Sequence, residues 1–227
     1  MNEAKTFYII DLDRTLLDTE KSARLFEDVV ADHDVDISHL LTQELERANK
    51  LGESFSMQSF VADKLPVAEL NMIEAAFSER AARIDLLLPH AQKLLDLLDH
   101  AQKDYGILTY GSVEGQKLKI RVSGLGTIPH SITQIAEKGE VIASWRNESG
   151  QFIIPTELSP KGLVVEYIVL VDDRVRSFDG LPDNAAGFWV ANNGFDNNET
   201  TPLRAQKVTD LEELLGIILN DPFVDKA

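Results

Sequence analysis

The sequence predicts an α/β fold: a Rossmann-like parallel sheet core flanked by helices, with an inserted α-helical cap domain. Three observations predict it. Short runs of exclusively β-branched, aromatic or aliphatic residues recur along the chain, the pattern of strands buried on both faces in parallel sheets. Three of these runs stop at a residue with an oxygen-bearing side chain, namely Asp11, Thr109 and Asp172, and parallel sheets bind ligands beyond the carboxyl ends of their strands. Between the first two runs lies much more helical sequence than one crossover connection requires.

The first strand is read over Thr6–Ile10, ending abruptly at Asp11. Residues 19–98 then show apolar positions at helical spacing, as in Leu25, Phe26, Val29 and Val30, and again in Ile73, Ala76 and Phe77. Gly52 and Pro66 divide this stretch into several helices. The last of them follows Pro89, carries Leu94, Leu95, Leu97 and Leu98, and serves as the crossover. A second strand spans Tyr105–Leu108, and the helix after it carries Lys117 and Lys119. A third strand covers Tyr167–Val171 and a fourth Gly187–Val190, ending near Asn192. The Asn- and Asp-rich stretch 192–198 reads as loop and 210–219 as a terminal helix. The expected division is residues 1–18 with 89–227 as the α/β core and 19–88 as the helical insertion.

A chain of 227 residues suits one core domain with a modest insertion. Its formal net charge of −16 opposes nucleic-acid backbones and anionic membranes, and the Lys and Arg residues are scattered rather than gathered in a patch. A small phosphorylated partner is compatible with that charge, because a metal ion and one or two cations reverse the field locally. The absence of cysteine removes disulfides, thiolate metal sites and cysteine nucleophiles. The first apolar run is too short for a signal peptide, and no stretch approaches membrane-spanning length. A soluble cytoplasmic protein is therefore expected, and oligomeric state is left open.

The segment FYIIDLDRTLLD, Phe7–Asp18, carries the sharpest chemical signal. Asp11 follows the strand directly and Asp13 lies two positions on, so both carboxylates can project into the crevice above the strand end. Phosphoryl transfer from a monoester needs a nucleophile, a proton donor for the leaving alcohol and positive charge around the equatorial oxygens. Two neighbouring carboxylates divide the first two roles if one stays ionised while the other holds a proton. Thr15 is placed to tie the loop together through its hydroxyl. At the second strand end, the Thr109 hydroxyl and the backbone of Tyr110 and Gly111 can hold phosphate oxygens. At the third, Asp172 and Asp173 repel one another unless a cation holds them, and Mg²⁺ is a natural one. Asp179, six positions on, is a candidate outer-shell acid. None of the five histidines falls in these motifs, and Trp145 and Trp189 read as packing anchors.

The D-x-D-x-T pattern after a buried strand resembles the first motif of the haloacid dehalogenase-like (HAD) superfamily. The later residues resemble its other motifs in the same chain order. The resemblance implies Asp11 as a nucleophile that forms an aspartyl-phosphate and Asp13 as general acid/base. It implies a Mg²⁺ site made by Asp11, the Leu12 and Asp13 backbone carbonyls, Asp172 and Asp173. A lysine between the second and fourth motifs would hold the phosphate. Lys117, Lys119, Lys138 and Lys161 lie in that interval, and Lys138, midway along it and just before a glycine, is preferred. The helical stretch sits where members with the first cap type insert a cap, which would close over the site and select substrates. Many members carry glycine where this chain has Arg14.

The function implied is hydrolysis of a small-molecule phosphomonoester with Mg²⁺ as cofactor. Dehalogenases and phosphonatases of the superfamily lack an aspartate two places after the nucleophile, so Asp13 argues against both. A phosphomutase uses the same aspartate pair and stays open, as does a degenerate member that binds without turnover. A phospho-acceptor receiver domain would place its acidic pair before, not after, its phosphorylated aspartate.

Overall fold

The computed structural model describes residues 5–33, 43, 47, 57–62, 64–191 and 200–220. Gly52 and the 192–198 loop lie outside the described residues. The elements in chain order are β1 (Thr6–Ile10), α1 (Thr19–Ala31), α2 (Met57–Ala62), α3 (Val67–Ala81), α4 (Ala91–His100), β2 (Asp104–Tyr110) and α5 (Val113–Val122). They continue with β3 (His130–Thr133), α6 (Lys138–Ala143), β4 (Phe152–Ile153), β5 (Val164–Val165), β6 (Tyr167–Asp172), the 3₁₀ turn Val175–Phe178, β7 (Ala185–Val190), β8 (Ala205–Val208) and α7 (Leu211–Asn220).

Six strands form one sheet in the order β3-β2-β1-β6-β7-β8. The pairings β2–β1, β1–β6, β6–β7 and β7–β8 are all parallel. The order reverses at β1, so the crevice above its carboxyl end is the topological switch point at which such sheets bind ligands. Phe7, Tyr8, Ile9 and Ile10 are all buried, which is why β1 reads as an unbroken apolar run: both faces of a central strand are covered. Phe7 and Ile9 pack with Ile168, Leu170, Phe178, Ala185 and Trp189 in the main core.

The chain forms two compact units. One comprises residues 1–16, 87–109 and 128–227, the other 17–86 and 110–127. The second unit therefore takes in α5, a segment that the sequence reading assigned to the α/β core. The reason is packing: Leu118 of α5 is buried in one cluster with Phe26, Val29, Val30, Val61, Ile73 and Phe77. Phe26 meets Phe77 edge to face, with ring centroids 5.2 Å apart. Helix α1 starts at Asp18, whose carboxylate accepts the Lys21 N–H at 2.9 Å, and Pro66 precedes α3 with the φ that suits a helix entry. No helix among the described residues is long and apolar enough to cross a membrane.

Candidate active site

Three strand ends of the α/β unit carry the candidate residues Asp11, Thr109 and Asp172. Ile10 pairs with Val171 across β1–β6, and the Asp11 N–H extends that ladder by donating to the Val171 carbonyl at 2.9 Å. Asp11 and Asp172 consequently leave the sheet side by side. Both are buried, Asp172 completely. Lys138, 2% exposed, is the first residue of α6 and reaches both: its Nζ donates to Asp11 Oδ1 and to Asp172 Oδ2, the latter at 2.6 Å. Residues separated by more than a hundred positions thus share one buried cation. Lys117 and Lys119 lie on α5 in the helical unit, and Lys161 is exposed on the loop between β4 and β5.

The glycine after Lys138 explains how a buried lysine can start this helix. A Cβ on Gly139 would lie 2.3 Å from the Asp179 carbonyl oxygen and 2.6 Å from the Leu181 nitrogen, so only glycine lets α6 approach that backbone. Arg176, on the 3₁₀ turn, pairs with Glu137 at the helix entrance. Asp179 itself is exposed, and its carbonyl, rather than its carboxylate, lines the contact with α6.

The electrostatics are those of carboxylates forced together out of water. Burial, the largest cause, pushes the Asp11 carboxyl up to about 7; Asp172 and Asp13 push the same way and Lys138 opposes them. Burial, together with Asp172 and Asp11, raises Asp173 well above the usual carboxylate range. Burial alone would lower the Lys138 ammonium, but Asp11 and Asp172 outweigh it and hold the lysine charged. Arg174, which the sequence reading did not single out, is held charged by Asp173, Asp11, Asp172 and Asp13 against its own desolvation.

Thr109 is completely buried, and its hydroxyl has no hydrogen-bond partner among the described residues. Thr109 lies two residues beyond Ile107, the last β2 residue paired with β1. A buried hydroxyl without a partner is costly unless a ligand supplies one. Tyr110 is half-buried, and its carbonyl accepts the Gln116 side-chain amide at 2.8 Å.

The fold can be compared with solved structures. A haloacid dehalogenase-like hydrolase from Burkholderia xenovorans LB400 matches with a TM-score of 0.62 and 18% identity, covering 94% of this chain and 96% of that one. CbbY from Rhodobacter sphaeroides, in complex with phosphate, matches at 0.56 and 16%, covering 93% and 96%. The HAD-hydrolase YfnB from Bacillus subtilis, bound to magnesium, matches at 0.52 and 17%, covering 96% and 100%. This chain has the haloacid dehalogenase-like fold. No protein-family model and no curated protein matches the sequence, so the likeness is one of fold.

One expectation for the Asp11–Thr15 loop, the role of the Thr15 hydroxyl, is corrected. The Leu12 carbonyl accepts the Leu16 N–H at 3.0 Å and the Thr15 N–H at 3.4 Å within the turn. Thr15 ties the loop through that backbone N–H, whereas its buried hydroxyl has no partner among the described residues. Arg14 adopts φ 59°, the left-handed conformation that glycine takes freely and other residues adopt at a cost of about 1–2 kcal/mol.

The residues present fit a hard divalent cation. Asp11, Asp172 and Asp173 each offer a carboxylate oxygen, and the three oxygens lie within 4.8 Å of one another. An all-oxygen donor set without imidazole or thiolate suits Mg²⁺. Burial weakens the acidity of Asp11 and Asp173, and a cation would offset the crowding of these carboxylates. Both oxygens of Asp172 are already engaged, Oδ2 by Lys138 and Oδ1 by the Arg174 N–H at 2.8 Å, which leaves Asp173 the less committed of the two adjacent acids.

Proposed function

We propose that this protein is a Mg²⁺-dependent hydrolase of a small-molecule phosphomonoester. The observation that carries the reading is the buried Lys138 shared between Asp11 and Asp172 at the switch point of the sheet. It supplies a fixed positive charge beside a carboxylate at a strand end, the part of parallel sheets at which ligands generally bind. The molecules bound in the CbbY structures, phosphate and xylulose-(1,5)bisphosphate, are of the class this reading requires.

In this reading an Asp11 oxygen attacks phosphorus in line with the ester bond. The new bond makes an aspartyl-phosphate, and the bond to the alcohol oxygen breaks with its electron pair. Asp13 donates the proton that this oxygen requires, then accepts one from the water that attacks the aspartyl-phosphate and releases inorganic phosphate. Lys138 and the Thr109 hydroxyl hold the equatorial oxygens. Asp11, the Asp13 carbonyl, Asp172 and Asp173 would hold the magnesium ion, which supplies further positive charge against the phosphoryl oxygens when bound. The helical unit is assigned the part of the cap that selects the substrate.

The test is a screen of wild type and Asp11→Asn against sugar phosphates, nucleotides and phosphorylated small acids, with Mg²⁺ and with a chelator. Turnover of at least one ester is expected, falling on the order of 10³-fold or more in the variant and lost on chelation. Equal background rates in both proteins would sink the reading and favour a binding protein on the same fold.

A further inference from the structure

We propose that Trp189 is a positioning residue for the acidic strand tip: its indole N–H locks the peptide between Asp173 and Arg174 and thereby sets the metal affinity of the site. The proposal rests on the magnesium reading above.

Trp189 is fully buried at the carboxyl end of β7, directly opposite Asp172 in the β6–β7 register. Its Nε1 donates to the Asp173 carbonyl at 2.9 Å. Strand β6 ends at Asp172, so the Asp173 carbonyl has left the ladder and needs another donor, while a buried indole N–H needs an acceptor. Each satisfies the other.

The partner on the opposite edge of that peptide is more informative. The Arg174 N–H, which shares a peptide plane with the Asp173 carbonyl, donates to Asp172 Oδ1 at 2.8 Å. One rigid amide is therefore gripped at its oxygen by Trp189 and at its hydrogen by a carboxylate of the site. A peptide is planar, so tilting its oxygen tilts its N–H as well. Losing the indole grip frees the plane to rotate, and with it both the Asp172 carboxylate it orients and the Cα of Asp173. Three carboxylates with oxygens within 4.8 Å repel one another and would use that freedom to separate. The ring is itself held in place: Lys207 Nζ lies 4.5 Å from its centroid, a cation–π contact. Simple core filling would require only the ring's volume, whereas this arrangement requires the N–H.

The test separates the two. The chain has only two tryptophans, so a Trp145→Phe background leaves position 189 as the one tryptophan. Replacing it biosynthetically with 3-benzothienylalanine keeps the ring's shape and removes the N–H, and 5-fluorotryptophan keeps both. Mg²⁺ affinity is read by competition with Mn²⁺, whose free ion is counted by its EPR signal; binding lost in Asp173→Asn defines the site. The expected result is an affinity about tenfold weaker in the benzothienyl protein, the scale seen when outer partners of metal ligands are lost, and unchanged in the fluorotryptophan protein. Equal affinities in the benzothienyl and tryptophan proteins would overturn the proposal and leave the magnesium reading intact. No site-specific binding in the tryptophan protein would overturn both.

Discussion

Lys138 is a buried cation shared by two of the site's carboxylates. A buried ammonium shared by two buried carboxylates is weak evidence of net stabilisation, yet removing it leaves two charges without compensation. We expect Lys138→Met to destabilise the protein by about 3–5 kcal/mol near neutral pH, measured by urea unfolding; a loss below about 1 kcal/mol would show that the lysine is not the main partner of Asp11 and Asp172. Tyr105 offers a second residue-scale test, remote from the acidic cluster. Its hydroxyl donates to Asp99 Oδ1 at 2.9 Å. Burial, then Asp99 and Asp96, push the phenol up to about 12 from its ordinary 10.0. The folded state thus favours the protonated phenol, so its contribution to stability is complete below pH 10.0 and is lost as pH rises through about 12. The tyrosinate absorbance step lost on Tyr105→Phe is expected to sit near 12, and to move down in Asp99→Asn. A step near 10 in wild type would contradict the contact.

At the scale of elements, the short helix α6 works as a mount for Lys138, and its glycine is what lets it seat. Gly139→Ala forces a Cβ into backbone atoms of Asp179 and Leu181, which cannot yield as a flexible side chain would. The cost of such overpacking is about 1–3 kcal/mol; because α6 must back away, activity should fall more than stability explains. Gly216, in the exposed face of α7, is the contrast: a Cβ there meets nothing within 4 Å. Gly216→Ala should stabilise by about 0.5–1 kcal/mol with turnover unchanged. Thermal unfolding and steady-state rates of the two variants, run in parallel, check both; a Gly139→Ala protein as stable and active as wild type would mean that the close approach is not required. The 3₁₀ turn after β6 is seated by the same device, since a Cβ on Gly187 would lie 2.3 Å from Phe178.

For the molecule as a whole, a net charge of −16 implies self-repulsion in the folded state. Raising NaCl from about 0.01 M to about 0.15 M shortens the screening length from about 30 Å to about 8 Å, so Tm should rise with salt; a flat or falling Tm would show that attractive pairs such as Arg80–Asp32 and Arg204–Asp183 outweigh the repulsion. Much of this molecule was legible in the sequence alone. The strands Thr6–Ile10 and Tyr167–Asp172 and the helices after Pro66 and Pro89 follow from patterns that burial imposes on residues close together in the chain. β3 and β8 escaped that reading because they lie at the edges of the sheet, where residues such as His130, Gln206 and Lys207 are tolerated without an apolar pattern. The acids at the strand ends were legible too, because a loop beyond a buried strand has no packing reason to be acidic. Among four lysines the sequence favoured Lys138, but only the structure shows its Nζ meeting Asp172 and the Leu12 carbonyl accepting the Leu16 N–H within the turn. The physical reason is range: periodicity and propensity act within a few residues, whereas which cation neutralises Asp11, and which indole grips the Asp173 peptide, is fixed only when distant segments pack into the same dry space.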